Sequence, residues 1–277
     1  MQWLVTGCST GLGLEIARAA LQAGQKCIAT SRNPASSPDA IADIEKLGGV
    51  WATLDVSSPS LENDIENIVK KHGPVDVVVN NAGYADGAPL EMMDLDKARQ
   101  MFETNFWGPI RIIQALVPSM RSRHSGVIIN ISSAVNWNPP PGAAVYAGSK
   151  FAIEGISEAL ATELSTFNIR VLIAEPGAMK TKFFDQKKMK MPILADAYKG
   201  TPTEFVMQAI AGLDEGAPQD ARKTAEAIVK EVLEPSSTPM ALRMPLGMES
   251  LGGMRKRAEE YIKIADSMEK VAVACDF

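Results

Sequence analysis

Residues 2–20 read Q-W-L-V-T-G-C-S-T-G-L-G-L-E-I-A-R-A-A, an apolar run followed by a glycine-rich turn and a helical pattern. A strand, a glycine turn and a helix in this order present backbone N–H groups and the positive end of the helix dipole to a phosphate. Gly7 would permit the tight turn, Gly11 the close approach of a pyrophosphate, and Gly13 the packing of the helix on the strand. The spacing is T-G-x-x-x-G-x-G rather than G-x-G-x-x-G, and glycines also end helices and shape hairpins. In this context the stretch predicts a nucleotide-binding turn.

The alternation of strand and helix continues along the chain. Apolar runs typical of buried parallel strands alternate with segments of helical periodicity. The predicted strands are residues 2–5, 26–30, 50–54, 75–79, 127–131, 170–174 and 240–244, and the predicted helices are residues 14–23, 39–47, 61–71, 97–120, 146–167 and 221–233. This order predicts an α/β fold, a Rossmann-like doubly wound parallel sheet in a three-layer α/β/α arrangement. Ligands of such sheets bind beyond the carboxyl ends of the strands.

Length and composition favour one domain over two. The chain has 277 residues, of which 46% are hydrophobic, enough to bury one large core. We expect residues 1–277 to form a single domain with a C-terminal helical extension at residues 245–277. Residues 181–220 form a compositionally loose stretch between the last two strand units. This stretch is predicted to be a substrate lid.

Charge and cysteine content exclude several classes of function. A net charge of −5 and a pI near 5.3 argue against nucleic acid as a partner. No run approaches the ~18 apolar residues of a membrane span, and no signal peptide is evident. Three cysteines without a paired framework favour the reducing cytoplasm. His72 and His124 have no ligand-type neighbours, so no metal site is expected.

Tyr146 and Lys150 form the second informative feature, together with Ser133 thirteen residues before the tyrosine. If the segment from Ala143 is helical, the tyrosine and the lysine lie one turn apart on the same face. An ammonium group beside a phenol favours the phenolate and would lower its ordinary pKa of about 10. A serine hydroxyl from a strand end could bind the oxygen that exchanges the proton. Ser132 is the rival for this position, and an incidental Tyr/Lys pair on an ordinary amphipathic helix is the alternative.

Several spaced motifs together resemble the short-chain dehydrogenase/reductase family. The glycine turn is followed by Asn80-Asn81-Ala82-Gly83, by Asn105, by Ser133 with Tyr146-x-x-x-Lys150, and by Pro176-Gly177-Ala178-Met179-Lys180-Thr181. The resemblance runs almost from end to end, and the chain looks like steroid-, retinol- and ketone-reducing members with an extended C-terminus. It implies an enzyme that transfers hydride between a nicotinamide cofactor and a carbonyl or alcohol group.

The resemblance also implies roles for four residues. Tyr146 matches the general acid/base, and Lys150 matches the residue that depresses its pKa and binds the nicotinamide ribose. Ser133 matches the residue that orients the substrate oxygen, and Asn105 the asparagine that holds a proton-relay water. Each could instead be a plain hydrogen-bonding group at a strand end. Asn136 stands where many members of the family have glycine, and Gly148 where alanine or serine is usual. Both departures are expected to reshape the mouth of the pocket.

The cofactor site follows from the same comparison of motifs. Asp55 and Val56 match a pair that contacts adenine, Asn81 matches a support for the adenosine ribose, and Thr181 matches a contact of the nicotinamide carboxamide. The predicted cofactor-binding residues are Gly7, Ser9, Thr10, Gly11, Leu12, Gly13, Ser31, Arg32, Asp55, Val56, Asn81, Ala82, Gly83, Tyr146, Lys150, Pro176, Gly177, Met179 and Thr181.

Preference between the two nicotinamide cofactors depends on the end of the second strand. NAD-dependent proteins need a carboxylate there for the ribose hydroxyls. Ser31 occupies this position and Arg32 follows it. A guanidinium group fits a 2′-phosphate, and no carboxylate repels it. NADP(H) is therefore predicted, although Thr10 supplies no second basic group and Arg32 could be a solvated surface residue.

The C-terminal part of the chain bears on the substrate. Nine of the fourteen methionines follow position 178, including Met179, Met189, Met191, Met207, Met240, Met244 and Met248, and Phe183, Phe184 and Phe205 lie among them. Methionine suits irregular apolar pockets, so a bulky lipophilic carbonyl or alcohol substrate is predicted, with core packing as the alternative. The lysines of the same loop (Lys180, Lys182, Lys187, Lys188 and Lys190) favour a solvated charge run over a site for an acidic group.

Three functions compete at this point. The leading one is NADPH-dependent carbonyl reduction or the reverse reaction. The second is a cyclase or isomerase with a structural NADP, since the same residues can serve proton transfer alone. The third is a non-catalytic nucleotide-sensing protein, which has no need of all four predicted catalytic residues. The resemblance implies a homodimer or homotetramer.

Overall fold

The computed structural model describes residues 1–181, 183, 193–211, 217–237 and 239–276. Over these residues the strands are β1 (Gln2–Val5), β2 (Lys26–Ser31), β3 (Val50–Thr53), β4 (Val77–Asn80), β5 (Gly126–Ile131), β6 (Ile169–Pro176) and β7 (Arg243–Leu246). The α-helices are α1 (Gly11–Gln22), α2 (Pro38–Lys46), α3 (Leu61–His72), α4 (Leu95–Phe102), α5 (Gly108–Arg123), α6 (Ala144–Ser165), α7 (Pro202–Ala211), α8 (Ala221–Leu233) and α9 (Gly247–Val273).

The strands form one parallel sheet in the order β3-β2-β1-β4-β5-β6-β7. Every residue of β4 and of β5 is buried, as expected for apolar strands covered on both faces. The direction of winding reverses between β1 and β4, which are neighbours in the sheet. The loops that follow these two strands therefore open a crevice at the carboxyl edge, where ligands of such sheets bind.

Helices cover both faces of the sheet. On one face α1 and α8 pack over the sheet through a core that includes Ile16 and Ile228. On the other face α3 and α5 pack through a second core that includes Ile65 and Ile112. Burial of these apolar faces on a central sheet gives the three-layer arrangement. The predicted fold class, a Rossmann-like α/β domain with a C-terminal helix, is confirmed.

The long helix predicted at residues 97–120 is interrupted. A π-helical turn, Glu103–Trp107, separates α4 from α5. α5 begins with Gly108 and Pro109, and a Cβ at Gly108 would lie 2.8 Å from the backbone oxygen of Val56. Apolar periodicity continues through one inserted residue, so the pattern alone does not reveal the turn.

Two further boundaries differ from the sequence-based prediction. The last strand was predicted at residues 240–244, but β7 is Arg243–Leu246, which pairs with the last four residues of β6. The predicted lid contains a helix, α7, that periodicity did not reveal. Residues 182, 184–192 and 212–216 of this segment lie outside the described residues, and the lid itself stays a prediction.

No helix within the described part of the chain combines the length and the apolar character needed to cross a bilayer. The same residues contain no cluster of three or more histidine, cysteine, aspartate or glutamate side chains placed to hold a metal ion.

Candidate active site

The glycine-rich turn after β1 is packed tightly against the loop after β4. Gly7 has a φ of +73°, and a Cβ there would lie 2.8 Å from the Cα of Ala82. A Cβ at Gly13 would lie 2.6 Å from the backbone oxygen of Gly7. Thr6 Oγ1 accepts hydrogen bonds from the backbone N–H groups of Asn81 (3.0 Å) and Ala82 (2.9 Å). Glycine is needed at both positions because any side chain would push the two loops apart.

α1 begins inside this turn with its backbone N–H groups open to a ligand. Among the described residues, the Thr10 side chain makes no capping hydrogen bond, and the first turn of α1 contains no acidic residue. Gly11 has a φ of +66°, and a Cβ there would lie 3.3 Å from the Cβ of Thr181. The segment after β6 therefore faces the turn closely. Open N–H groups and the helix dipole give this place the chemistry that a pyrophosphate needs.

Tyr146 and Lys150 lie one turn apart on α6, as the sequence predicts. Lys150 is 5% exposed, and its Nζ donates to the backbone oxygen of Ile131 (2.8 Å) and lies 5.9 Å from the centre of the Tyr146 ring. Ser133 follows β5 and caps a short 3₁₀ turn, because its Oγ accepts the N–H of Val135 (3.2 Å). A hydrogen bond joins Ser133 to Tyr146. The structure thus brings the three predicted catalytic side chains together.

The ionisation of this pair differs from the sequence-based expectation. Burial raises the pKa of Tyr146 to about 12, and the hydrogen bond with Ser133 opposes the rise. Burial also lowers the pKa of Lys150 to about 8, against the attraction of Glu154. The predicted depression of the Tyr146 pKa is therefore wrong for this structure. Loss of water around the phenol outweighs the attraction of an ammonium group that is itself destabilised by burial.

Asn105 lies in the π-helical turn and is 2% exposed. Its Nδ2 donates to the backbone oxygen of Tyr84 (2.9 Å) and to Ser149 Oγ (3.1 Å), and its Oδ1 accepts the N–H of Tyr84 (3.1 Å). A Cβ at Gly83 would lie 3.0 Å from Asn105 Oδ1 and 3.6 Å from Lys150 Nζ. Asn105 and Lys150 therefore meet beside the loop after β4. π-Helical turns inside helices occur frequently at functional sites.

Ser132, the rival of Ser133, is engaged elsewhere. It is 2% exposed, and its Oγ donates to Glu154 Oε1 (2.5 Å). Asn136 Nδ2 donates to the same oxygen (2.7 Å). Glu154 thus holds the segment that carries Ser133 from both sides. The side chain of Asn136 is a buried anchor of this segment, and its expected effect on the pocket mouth stays a prediction.

Glu154 belongs to a buried ionic cluster that sequence reasoning missed. Arg243 Nη1 donates to Glu154 Oε2 (2.9 Å) and to Glu175, and its Nη2 donates to Glu158 (2.7 Å). Glu175 is fully buried, and burial together with the nearby Glu154 raises its pKa to about 7. Glu154 lies one helical turn after Lys150, and this spacing could have indicated that the two side chains interact. Nothing local in the sequence brings an arginine of β7 to it.

The end of β2 is more enclosed than predicted. Ser31 is 5% exposed, and its Oγ accepts a hydrogen bond from Trp51 Nε1 (3.2 Å). Arg32 is exposed. Burial raises the pKa of Tyr84, and the positive charge of Arg32 opposes that rise, so the guanidinium is oriented toward the loop after β4. Asp55 accepts hydrogen bonds within its own turn. The hydroxyl of Ser31 is therefore bonded to Trp51, and Arg32 offers an exposed guanidinium group beside it.

The segment after β6 is fixed by two residues that the sequence did not indicate. A Cβ at Gly177 would lie 2.5 Å from Glu249 Oε2, and that carboxylate accepts the N–H of Ala178 (3.1 Å). The backbone of Gln219 pairs with the same segment, donating to Ala178 (3.2 Å) and accepting from Lys180 (3.2 Å). Both partners come from distant parts of the chain, which is why no local pattern marks them.

The remaining predicted cofactor residues differ in exposure along this edge. Leu12, Val56 and Pro176 are buried, and Ser9 and Met179 are partly buried.

Two apolar side chains lie close to the predicted catalytic group. The Phe183 ring centre lies 6.0 Å from that of Tyr146. Met207 of α7 is 3% exposed, and a Cβ at Gly142, just before α6, would lie 2.9 Å from its Cγ. α7 therefore packs onto the loop that leads into the catalytic helix.

The other described methionines named from the sequence lie elsewhere. Met179, Met240 and Met244 pack against the core beneath α1 and α8, and Met248 is 75% exposed. Most of the described set is thus core packing or surface. The further predicted side chains Lys182, Phe184, Lys187, Lys188, Met189, Lys190 and Met191 lie outside the described residues.

Residues 2–192 match the family model described as short chain dehydrogenase. The chain belongs to this family. It is an oxidoreductase that acts on CH–OH or C=O groups.

Relatives of this short chain dehydrogenase come from distant organisms. The oxidoreductase claN of Passalora fulva is 43% identical over 212 residues, covering 76% of this chain and 96% of the relative. Retinol dehydrogenase 8 of Bos taurus is 34% identical over 242 residues, covering 83% and 77%. A solved short-chain dehydrogenase from Streptomyces avermitilis has a TM-score of 0.88 at 33% identity, covering 100% of this chain and 98% of its own.

Solved structures of the same fold contain either nicotinamide cofactor. An actinorhodin polyketide ketoreductase with NADPH is 27% identical, with a TM-score of 0.73 over 87% of this chain and 93% of its own. A Burkholderia phymatum member with NAD, 17% identical, has a TM-score of 0.80 over 95% and 94%. The preference of this short chain dehydrogenase must therefore be argued from its own residues.

Proposed function

We propose that this short chain dehydrogenase reduces the carbonyl group of a bulky, largely apolar substrate with NADPH, or catalyses the reverse reaction. The observation that carries the proposal is the position of the Tyr146 phenol, one helical turn before the buried Lys150 on α6 and beside Ser133. Burial raises the pKa of this phenol, so it is protonated at neutral pH. A protonated phenol in a protein crevice is suited to donate its proton to an oxygen on which negative charge develops.

The residues of the crevice fit a nicotinamide dinucleotide. The turn with Gly7 and Gly11 and the open start of α1 would hold the pyrophosphate, and Lys150 would hold the nicotinamide ribose. When bound, the cofactor supplies the hydride for the carbonyl carbon. Ser133 orients the substrate oxygen, and Tyr146 transfers its proton to that oxygen. The charged Lys150 stabilises the phenolate that remains, and Asn105 holds the water through which the proton returns.

The support for an apolar substrate comes first from side chains near the proposed active site. Phe183 and Met207 place apolar surface around Tyr146 and around the loop before α6. Two similar proteins are named a retinol dehydrogenase and a polyketide ketoreductase, and retinol is a largely apolar alcohol. We also propose the reducing cytoplasm as the location, because Cys8, Cys27 and Cys275 are all free.

A cofactor-oxidation assay tests the function directly. NADPH is mixed with a panel of ketones and aldehydes of increasing apolar size, and loss of nicotinamide absorbance is followed. We expect oxidation that is fastest with bulky apolar carbonyls. Conversion of substrate without net NADPH oxidation would indicate a cyclase or isomerase instead. Binding of NADPH without conversion of any substrate would indicate a nucleotide-sensing protein.

Arg32→Ala tests the choice of cofactor. We propose that the exposed Arg32 guanidinium binds the 2′-phosphate of NADP(H), which NAD(H) lacks. Its loss is expected to weaken NADP(H) by the ~1.5–3 kcal/mol of a hydrogen bond to a charged group and to leave NAD(H) affinity unchanged. Dissociation constants for both cofactors, from fluorescence titration, measure the difference.

The matched control is Arg99→Ala, which removes an exposed arginine whose partner is Asp96. It is expected to change neither affinity. Equal weakening of both cofactors by Arg32→Ala, or a wild-type preference for NADH, would contradict the assignment.

Glu154→Gln tests the ionic support of Lys150. The amide keeps an acceptor for Ser132 but removes the negative charge that holds the Lys150 pKa up at about 8. The pKa should fall, so the charge that binds the cofactor ribose is lost at lower pH than in wild type. Titrations of NADPH affinity from about pH 6 to about pH 10 should show the alkaline loss of affinity shifted to lower pH. An unshifted profile would show that Glu154 acts only as a structural anchor.

A further inference from the structure

The C-terminal helix α9 leaves the body of the protein part-way along its length. Near its start Ser250 is buried, and a Cβ at Gly253 would lie 2.7 Å from the Cβ of Trp137. From Tyr261 to Asp276 every residue is exposed. At about 1.5 Å per residue, the helical part of this segment extends roughly 20 Å from its last packed turn. The second half of α9 thus has no packing partner within the described residues.

A helix without packing is poorly stable in water. Most helical stability in proteins comes from burial of an apolar face, and isolated segments below about 12–15 residues are marginal. The protruding half carries a set of large apolar side chains that are 51% to 63% exposed, namely Tyr261, Ile262, Ile264, Met268, Val271 and Val273. Tyr261, Ile264, Met268 and Val271 lie on one face of the helix, and an exposed apolar face of this kind marks an interaction site.

The sequence of α9 indicates how its exposed half could pack against a partner helix. Apolar or small residues recur at alternate spacings of three and four along the helix, namely Leu251, Met254, Ala258, Tyr261, Ala265, Met268 and Ala272. This is the a/d repeat of a coiled coil. Ile262 and Ile264 flank the repeat at e and g positions. The opposite face carries Glu259→Lys263 and Asp266→Lys270 at i,i+4 spacing, which suits a solvated surface.

We propose that α9 pairs in antiparallel orientation with α9 of a second copy of this chain. With Tyr261 packed on the second copy's Ala265, the register places Ile262 opposite Ile262 and Ile264 opposite Ile264 at the centre. The same register brings Arg255 opposite Glu269 at both ends of the pair. In parallel orientation the Arg255–Glu269 pair is lost, and Ile264 would face Glu269. Charge complementarity therefore selects the antiparallel pair.

A membrane surface is a weaker match for the same face. Helices that lie on membranes carry an excess of lysine and arginine on the polar face. Residues 255–276 contain five basic and five acidic side chains, so this segment has no net charge to attract anionic lipid. Balanced charges placed at complementary positions are instead the pattern of a protein pair.

Sedimentation equilibrium of the full chain tests the pairing. Ile262→Glu places two carboxylates opposite each other at the symmetric centre, and we expect one association step to weaken about 100-fold or more. Glu269→Arg places Arg255 opposite an arginine and should weaken the step by about tenfold. The double variant Arg255→Glu/Glu269→Arg restores opposite charges and should return affinity to within about threefold of wild type.

Lys263→Glu on the outer face of α9 is the matched control and should leave the association unchanged. All these positions are exposed, so NADPH binding and circular dichroism should match wild type and report that the domain is folded. Several results would overturn the proposal. The wild type could be a monomer, Ile262→Glu could leave the association constant unchanged, or the double variant could associate no more tightly than Glu269→Arg. Sedimentation of the chain with phosphatidylserine vesicles, abolished by Ile262→Glu, would overturn it in favour of a membrane surface.

Discussion

Tyr146→Phe is expected to lower turnover by roughly 10²–10⁴-fold, the usual contribution of a positioned general acid. The substitution keeps the ring, and with it the contact with Phe183, but removes the hydroxyl that carries the transferable proton. NADPH affinity should change little, because the glycine turn and Lys150 are proposed to supply the main contacts to the cofactor. Steady-state assays with the best carbonyl of the panel, together with fluorescence titration of NADPH, measure the two quantities separately.

The matched control is Tyr261→Phe, which also removes a phenolic hydroxyl but lies on the exposed half of α9. Its turnover should equal that of wild type. A folded Tyr146→Phe enzyme with turnover near wild type would rule out the proposed proton donor.

Arg243→Ala is expected to produce the largest loss of stability, about 3–5 kcal/mol. The guanidinium lies between two carboxylates, one 5% and the other 0% exposed. Without it, the buried Glu175 loses the positive charge beside it, and Glu154 keeps only the attraction of Lys150. The loss should shrink as pH falls from about 8 to about 5, because Glu175, whose pKa burial raises to about 7, then binds a proton in the folded state. Free energies of unfolding from urea titrations at both pH values measure it.

Arg222→Ala is the matched control for this loss. Its ion pair with Glu226 has side chains that are 71% and 48% exposed. An exposed pair contributes at most about 1 kcal/mol, so this variant should stay close to wild type at both pH values. Equal destabilisation by the two substitutions would show that the Arg243 cluster is no more than a surface ion pair.

Much of the fold was predictable because its signals are local. Apolar runs, helical periodicity and the turn at Gly7 and Gly11 depend on residues close together in the chain, and the structure has the predicted alternation. The interrupted helix around Asn105 was not predictable in the same way. One inserted residue changes a backbone hydrogen bond without disturbing the apolar pattern.

The candidate site also combines features that local sequence predicts with features that depend on tertiary contacts. The one-turn spacing of Tyr146 and Lys150 follows from the helix alone, and the structure has it. The choice between Ser132 and Ser133 needed the partner of each hydroxyl, since Ser132 is bonded to Glu154. The pKa of Tyr146 was predicted in the wrong direction because the spacing gives the neighbouring charge but not the loss of water.

By itself, then, the sequence determined the doubly wound α/β fold and the glycine turn, and it predicted the three side chains proposed to be catalytic. These depend on short-range backbone geometry and on the alternation of apolar residues. Only the tertiary structure decided the burial of Lys150, the Glu154–Arg243–Glu175 cluster and the exposed half of α9. Burial and long-range ion pairing depend on which distant segments meet in space, and contacts between β6, β7 and α6 bring together residues up to 89 positions apart.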